Sequence, residues 1–311
     1  MQPARRKLFL AAQWIFAAAI VLAAVRALRG QWNSSAQRLA TISFGWTWIL
    51  GATVIVFLTY LLLIETWRRI LVGWQASLPF GAAARIWFVS NLGKYLPGKV
   101  WSIAAMSVMA RERGVSPVAA AGSSVLIQLI TVATGIALVI VTGIKAIQQP
   151  TVAIVIGVIL AAGIAALPMI LPRLARIAGS LTGKAIEIPP LSVVTIWFAV
   201  ARTLLSWIAY GVAFRMFVVG VLGEAAGATS SYIAVYAASY IIGFLALFAP
   251  GGVVVRESAL VAGMARLGLA SQADAFAVAV ASRLWLTVVE LLPGFISLGL
   301  ARRSSKPQLT Q

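Results

Sequence analysis

Two proline-glycine breaks, each set inside an apolar stretch, constrain the fold of this chain more than any other feature. The first lies in NLGKYLPGKVW at residues 91–101 and the second in LFAPGGVVVRES at residues 247–258. Proline removes a backbone donor and glycine lowers helix propensity, so neither apolar arm is expected to run through its break as one helix. The arms at 82–95 and 99–111 would each reach only about 20 Å as helix, short of the ~30 Å hydrocarbon core. In lipid a broken backbone persists only where protein or a water-filled cavity satisfies the freed groups. Each break therefore reads as the tip of a re-entrant hairpin that returns to its own side, with a cavity between the tips. The region 231–266 divides at Pro250 in the same way.

The rest of the chain supplies the membrane. Of 311 residues 61% are hydrophobic and 10% charged, which predicts an all-α polytopic membrane protein. Cysteine and histidine are absent, which removes disulfides, thiolate nucleophiles and the usual zinc ligands. Seven acidic residues at distant places make a carboxylate metal cage implausible. No cofactor is expected, and no Walker P-loop points to ATP. The net charge of +18 does not read as nucleic-acid binding, because the Lys and Arg punctuate apolar segments instead of covering one solvated face. It reads as a topology signal and as attraction to anionic headgroups.

Six segments are expected to cross fully, at residues 8–25, 44–64, 118–143, 151–171, 191–221 and 273–300. The first has the basic and apolar regions of a signal peptide but reads as an uncleaved helix. With the N-terminus inside and two non-crossing hairpins, the inside collects Arg5, Arg6, Lys7, Arg68, Arg69, Arg111, Arg113, Arg173, Arg176, Lys184, Arg302, Arg303 and Lys306. The outside collects Arg26, Arg29, Arg38, Lys145 and Arg266, with Arg215 a sixth if it sits at the outer interface. This excess predicts N-in, C-in topology in the cytoplasmic (inner) membrane. Tryptophans near span ends, Trp14, Trp32, Trp67, Trp74 and Trp197 among them, read as interface anchors.

The two halves repeat. Met109-Ala110-Arg111 lines up with Met264-Ala265-Arg266, each following a break and preceding a long span, and Arg68 to Gly73 has the spacing of Arg215 to Gly220. Three crossings per half is an odd number, so the second half is expected to be inverted. The repeats are placed at residues 1–146 and 147–311 within one membrane domain, the arrangement of secondary transporters with a site at the repeat interface.

Charges inside spans or hairpins mark that site: Arg85, Lys94, Lys99, Arg202, Arg256, Arg283, Glu257 and Glu290. Each costs at least ~2.5 kcal/mol at the bilayer centre unless paired or solvated. Six cations against two carboxylates leave positive charge that an anionic ligand would neutralise. Arg85 has a bland reading as a snorkelling side chain. An Arg283–Glu257 bridge holding the second hairpin on the last span is the bland reading of that pair. The substrate-binding set is read as Lys94, Pro97, Gly98, Lys99, Pro250, Gly251, Arg256, Glu257, Arg283 and Glu290, with Glu290 meeting a hairpin cation.

The stretches GKYLPGKVW, RERGVS, PGGVVVRESALV and ASRLWLTVVELLPG resemble the lysylphosphatidylglycerol synthase transmembrane family over nearly the whole chain. That family includes the flippase portion of bacterial multiple peptide resistance factors and stand-alone members linked to lipid and polyprenyl-phosphate glycan pathways. The resemblance implies a flippase for an anionic-headgroup lipid, phospholipid or polyprenyl phosphate. It does not imply synthesis, since the aminoacyl-transferring domain has no counterpart in these residues. An enzyme or enzyme subunit acting on a lipid-linked sugar, or a scaffold for envelope synthesis, is the alternative. It is disfavoured because no His, Cys or nearby carboxylate pair offers an acid and a base. No nucleic-acid partner is expected, and homodimeric assembly is left open.

Overall fold

The computed structural model describes residues 44–95, 100–143, 150–182, 190–246 and 252–304. The expected first span and the two tips, Pro97, Gly98, Lys99, Pro250 and Gly251, lie outside the described residues. The described residues are mostly helical, with no strand among them. The helices are α1 (Trp46–Gly73), α2 (Phe80–Asn91), α3 (Val100–Arg111), α4 (Pro117–Gly143), α5 (Pro150–Thr182), α6 (Val193–Leu222), α7 (Thr229–Leu245), α8 (Val255–Arg266) and α9 (Gln272–Ser304). A 3₁₀ turn, Leu92–Tyr95, prolongs α2.

Four of them, α1, α4, α6 and α9, are long and apolar enough to cross a membrane, which makes this a multi-pass membrane protein. Within α5 the apolar run is the shorter Ile154–Leu167. The hairpin arms are unequal. Helices α2, α3 and α8 have 12 residues each. Helix α7 has 17, about 25 Å, close to the length of a crossing. Helix α1 also runs beyond the expected end at residue 64. Glu65 there accepts from Arg68 Nε (2.6 Å) and Nη2 (2.8 Å) and from Arg69 Nε (2.6 Å), so charge pairing one turn apart carries the helix past its apolar run.

The antiparallel pair α1 and α6 makes the most extensive helix contact. The Gly45 N–H donates to the Gly220 carbonyl at 2.8 Å, joining the start of α1 to the end of α6. Around this pair α2 packs on α3 and α9, while α7 packs on α8 and α4; α3 lies on α4, and α8 on α9. Thr134 Oγ1 donates to Thr203 Oγ1 at 3.2 Å between α4 and α6. Trp285 Nε1 donates to Thr53 Oγ1 at 2.8 Å between α9 and α1.

Two tryptophans expected at the interface are in the core instead. Trp67 is fully buried and donates Nε1–H to Ser123 Oγ at 2.8 Å, and Trp74 is buried as well. A ring with an N–H that finds a partner is a good filler between helices, and span-end position alone does not reveal this. Trp197 is exposed, as an anchor would be.

Gly211 lets α6 meet α7. A Cβ there would stand 2.3 Å from Ile233 Cγ1 and 2.5 Å from Ile233 Cα, and backbone cannot yield as a side-chain end can. Gly211→Ala is expected to cost about 1–3 kcal/mol by overpacking, read as a lowered melting temperature in detergent. An unchanged melt would show that α6 and α7 can separate without loss.

Candidate functional site

The site is assembled from the middle of the long helices and the inner ends of the hairpins. Lys94 sits on the 3₁₀ turn that ends α2 and pairs with Glu290 on α9. The other Glu290 oxygen accepts from the Tyr60 hydroxyl of α1 at 3.0 Å. Glu290 thus ties the first hairpin, the first described span and the last helix together, and the expectation that it meets a hairpin cation is satisfied by Lys94.

Arg256 enters from the other side, in the first turn of α8. Its guanidinium carbon lies 5.2 Å from the Tyr236 ring centre and 5.6 Å from that of Tyr240, both on α7. Tyr236 and Tyr240 are four residues apart, so one helix face presents both rings. Close hairpin packing makes this reach available. Gly252 has φ +67°, and a Cβ on it would fall 2.7 Å from the Gly243 carbonyl oxygen, while a Cβ on Gly243 would fall 2.7 Å from Arg256 Cβ. Val254, between Gly252 and α8, holds φ 74° and ψ −51°. Left-handed backbone is unusual for a β-branched residue.

The aromatic wall continues across the α1–α6 pair. Tyr210 of α6 stacks on Tyr236 with centroids 5.6 Å apart and meets Tyr60 edge-on at 6.2 Å. Trp207 packs on Tyr240 at 5.3 Å and donates Nε1–H to the Thr131 carbonyl at 3.0 Å. These groups enclose a cavity of about 180 Å³. A second cavity of about 220 Å³ shares Lys94, Ser102, Gln128, Tyr240, Arg256 and Glu290 with it and reaches Arg283.

The lining is rich in donors. Trp87, Ser102 and Gln128 line the first cavity, and their Nε1, Oγ and Nε2 atoms are buried with no hydrogen-bond partner among the described residues. A buried donor left unmet costs about 1–3 kcal/mol. Charge points the same way. Lys94, Arg256 and Arg283 are three cations against the two carboxylates Glu257 and Glu290.

The remaining candidates separate. Glu257 pairs with Arg283 at 3.6 Å, joining α8 to α9, while its Oε2 is buried with no hydrogen-bond partner among the described residues. Adjacent Arg256 and Glu257 therefore turn to different neighbours, as their 100° offset on a helix requires. Arg85 is half-buried, with Nε unpartnered. Arg202 lies away from both cavities, in a groove between α1 and α6. The sequence reading missed Tyr60, Tyr210, Tyr236, Tyr240, Trp87 and Ser102. For Tyr210, in the middle of the expected span 191–221, a hydroxyl-bearing ring away from either interface was the available signal.

A family model described as the lysylphosphatidylglycerol synthase TM region matches residues 10–294 of the chain. No curated protein matches it.

Proposed function

Because the chain belongs to the lysylphosphatidylglycerol synthase TM-region family, we propose that it is a lipid translocase, moving an anionic-headgroup lipid across the cytoplasmic membrane without converting it chemically. The observation that carries this reading is the net positive, donor-rich cavity between the hairpins. A phosphate supplies acceptor oxygens and negative charge together. Arg256 offers a planar fork that matches two of those oxygens, and Lys94 a point charge that turns from Glu290 to the ligand. Trp87, Ser102 and Gln128 offer the remaining donors. The tails stay in the bilayer while the headgroup crosses inside the protein. Arg283 and Glu257 hold the second hairpin on α9 and bring a further cation to the cavity rim.

In this proposal the two halves form an inverted repeat with re-entrant hairpins, N-in and C-in. The packing supports it, since α1, α2, α3 and α4 correspond to α6, α7, α8 and α9. Under that exchange the α2–α9 contact maps onto α7–α4, and α3–α4 onto α8–α9. Tyr60 and Tyr210 meet at the centre of the α1–α6 pair. A single cysteine replacing Arg111 should label from the cytoplasm, and one replacing Arg266 from outside. Labelling of both from one face would remove the inversion.

Reconstitution tests the function. Proteoliposomes holding a fluorescent anionic phospholipid in both leaflets should lose more than half of their signal to external dithionite, with the lipid unchanged by mass spectrometry. A plateau equal to that of protein-free vesicles would overturn the proposal, and chemical conversion would favour an enzyme.

A further inference from the structure

We propose that a second lipid site, separate from the central cavities, lies on the outer flank of the α1–α6 pair, where Arg69 and Arg202 clasp the phosphate of an anionic glycerophospholipid. The groove encloses about 330 Å³ and shares no lining residue with the central cavities. Thr66, Arg69 and Val72 form its α1 wall, and Val194, Phe198 and Arg202 its α6 wall.

Charge and apolar surface meet here in the pattern of a phospholipid. Glu65 holds Arg68 through two hydrogen bonds and Arg69 through Nε alone, so that cluster of two arginines and one carboxylate keeps a positive charge. Arg202 adds another. It makes no ion pair or hydrogen bond with the described residues, and its guanidinium lies 5.9 Å from the Phe198 ring centre. An arginine partway along a membrane helix is costly without an anion or water.

The two arginines can reach one anion. Antiparallel packing places Gly73 beside Leu191 and Thr195, and Gly51 beside Met216. On that register Arg69 and Arg202 stand about five residues apart, or ~7.5 Å along the axes, a gap that two arginine side chains close. Val72, Val194 and Phe198 are exposed, giving an acyl chain a surface beside the phosphate. Free phosphate would use the arginines alone; a lipid uses both features.

The test reads the groove directly. Val194 is exposed and the chain contains no cysteine, so Val194→Cys in the full chain takes an environment-sensitive fluorophore at one position. The probes are phosphatidylglycerol and phosphatidylcholine with identical brominated acyl chains, whose bromines quench the fluorophore. At about fivefold per arginine, phosphatidylglycerol should quench with roughly 25-fold higher apparent affinity than phosphatidylcholine. Arg69→Gln, at an exposed side chain, should remove about fivefold of that preference. Adding Arg202→Gln should abolish it. Inorganic phosphate should not compete, and Arg256→Gln should leave the preference intact, so a failure here is distinct from a failure of the translocation reading. Equal quenching by the two lipids, a preference that survives both arginine replacements, or full displacement by inorganic phosphate would overturn the proposal.

Discussion

Arg256→Lys is expected to give a folded, monodisperse protein that moves lipid about 10- to 100-fold more slowly than the parent, the loss that goes with one or two charge-assisted hydrogen bonds. The guanidinium lies over Tyr236 and Tyr240, and Arg256 lines both cavities. An ammonium keeps the charge and loses the fork. Arg283→Lys separates positioning from binding. Its 3.6 Å pairing with Glu257 is of a kind lysine can maintain, so Arg283→Lys should lose less transport than Arg256→Lys. Glu257→Gln should lower the melting temperature by removing the ion pair that joins α8 to α9. Dithionite-accessible lipid in proteoliposomes and melts in detergent measure both. Full-rate transport by Arg256→Lys would eliminate bidentate phosphate capture.

A second large effect is expected at Lys94 and Glu290. Glu290→Gln leaves Lys94 without its carboxylate, and Lys94→Gln leaves Glu290 with only the Tyr60 hydroxyl of the two bonds described. A charge at membrane depth is costly, at least ~2.5 kcal/mol at the bilayer centre, and its ion-pair partner offsets part of that. Each single replacement should therefore melt several degrees lower and accumulate poorly. The double replacement removes both charges together and should recover most of that stability, a coupling that a double-mutant cycle reads out. Transport should not return with it, because the proposed headgroup has lost the donor that Lys94 supplies. A double variant that flips lipid at the parental rate would confine the pair to holding α2 against α9.

The long helices and the hairpin arms were legible because membrane burial is written in unbroken apolar runs, and proline with glycine in such a run has few physical explanations. Charges in the cavity were legible for the same reason. Lys94, Arg256 and Glu290 stand out against lipid-grade sequence, and the structure brings all three to one cavity. Tyrosine does not stand out in this way. Tyr60, Tyr210, Tyr236 and Tyr240 are apolar enough to belong to any membrane helix, and only their convergence from α1, α6 and α7 makes them a wall. The same limit explains Trp67. Nearness to a span end suggested an interface, yet Ser123, 56 residues away in sequence, gives its N–H a buried partner. Helix α1 outruns the expected crossing at 44–64 for a local reason, since Glu65 pairs with both arginines and makes them helix surface.

Val254 gives the second hairpin an energetic bias. A β-branched residue held at φ 74° sits above its relaxed conformation by about 1–3 kcal/mol, an excess offset by the packing of α8 against α7 and α9. Arg256 follows two residues later, so the turn that presents the guanidinium is kept taut by its neighbours and is not at rest by itself. Loosening the α8–α9 contact would release that excess and lower the cost of displacing the arginine. A carrier works only when its closed and open forms are close in energy. If the chain translocates lipid as proposed, a taut turn beside Arg256 lifts this packed form toward one in which the headgroup is released.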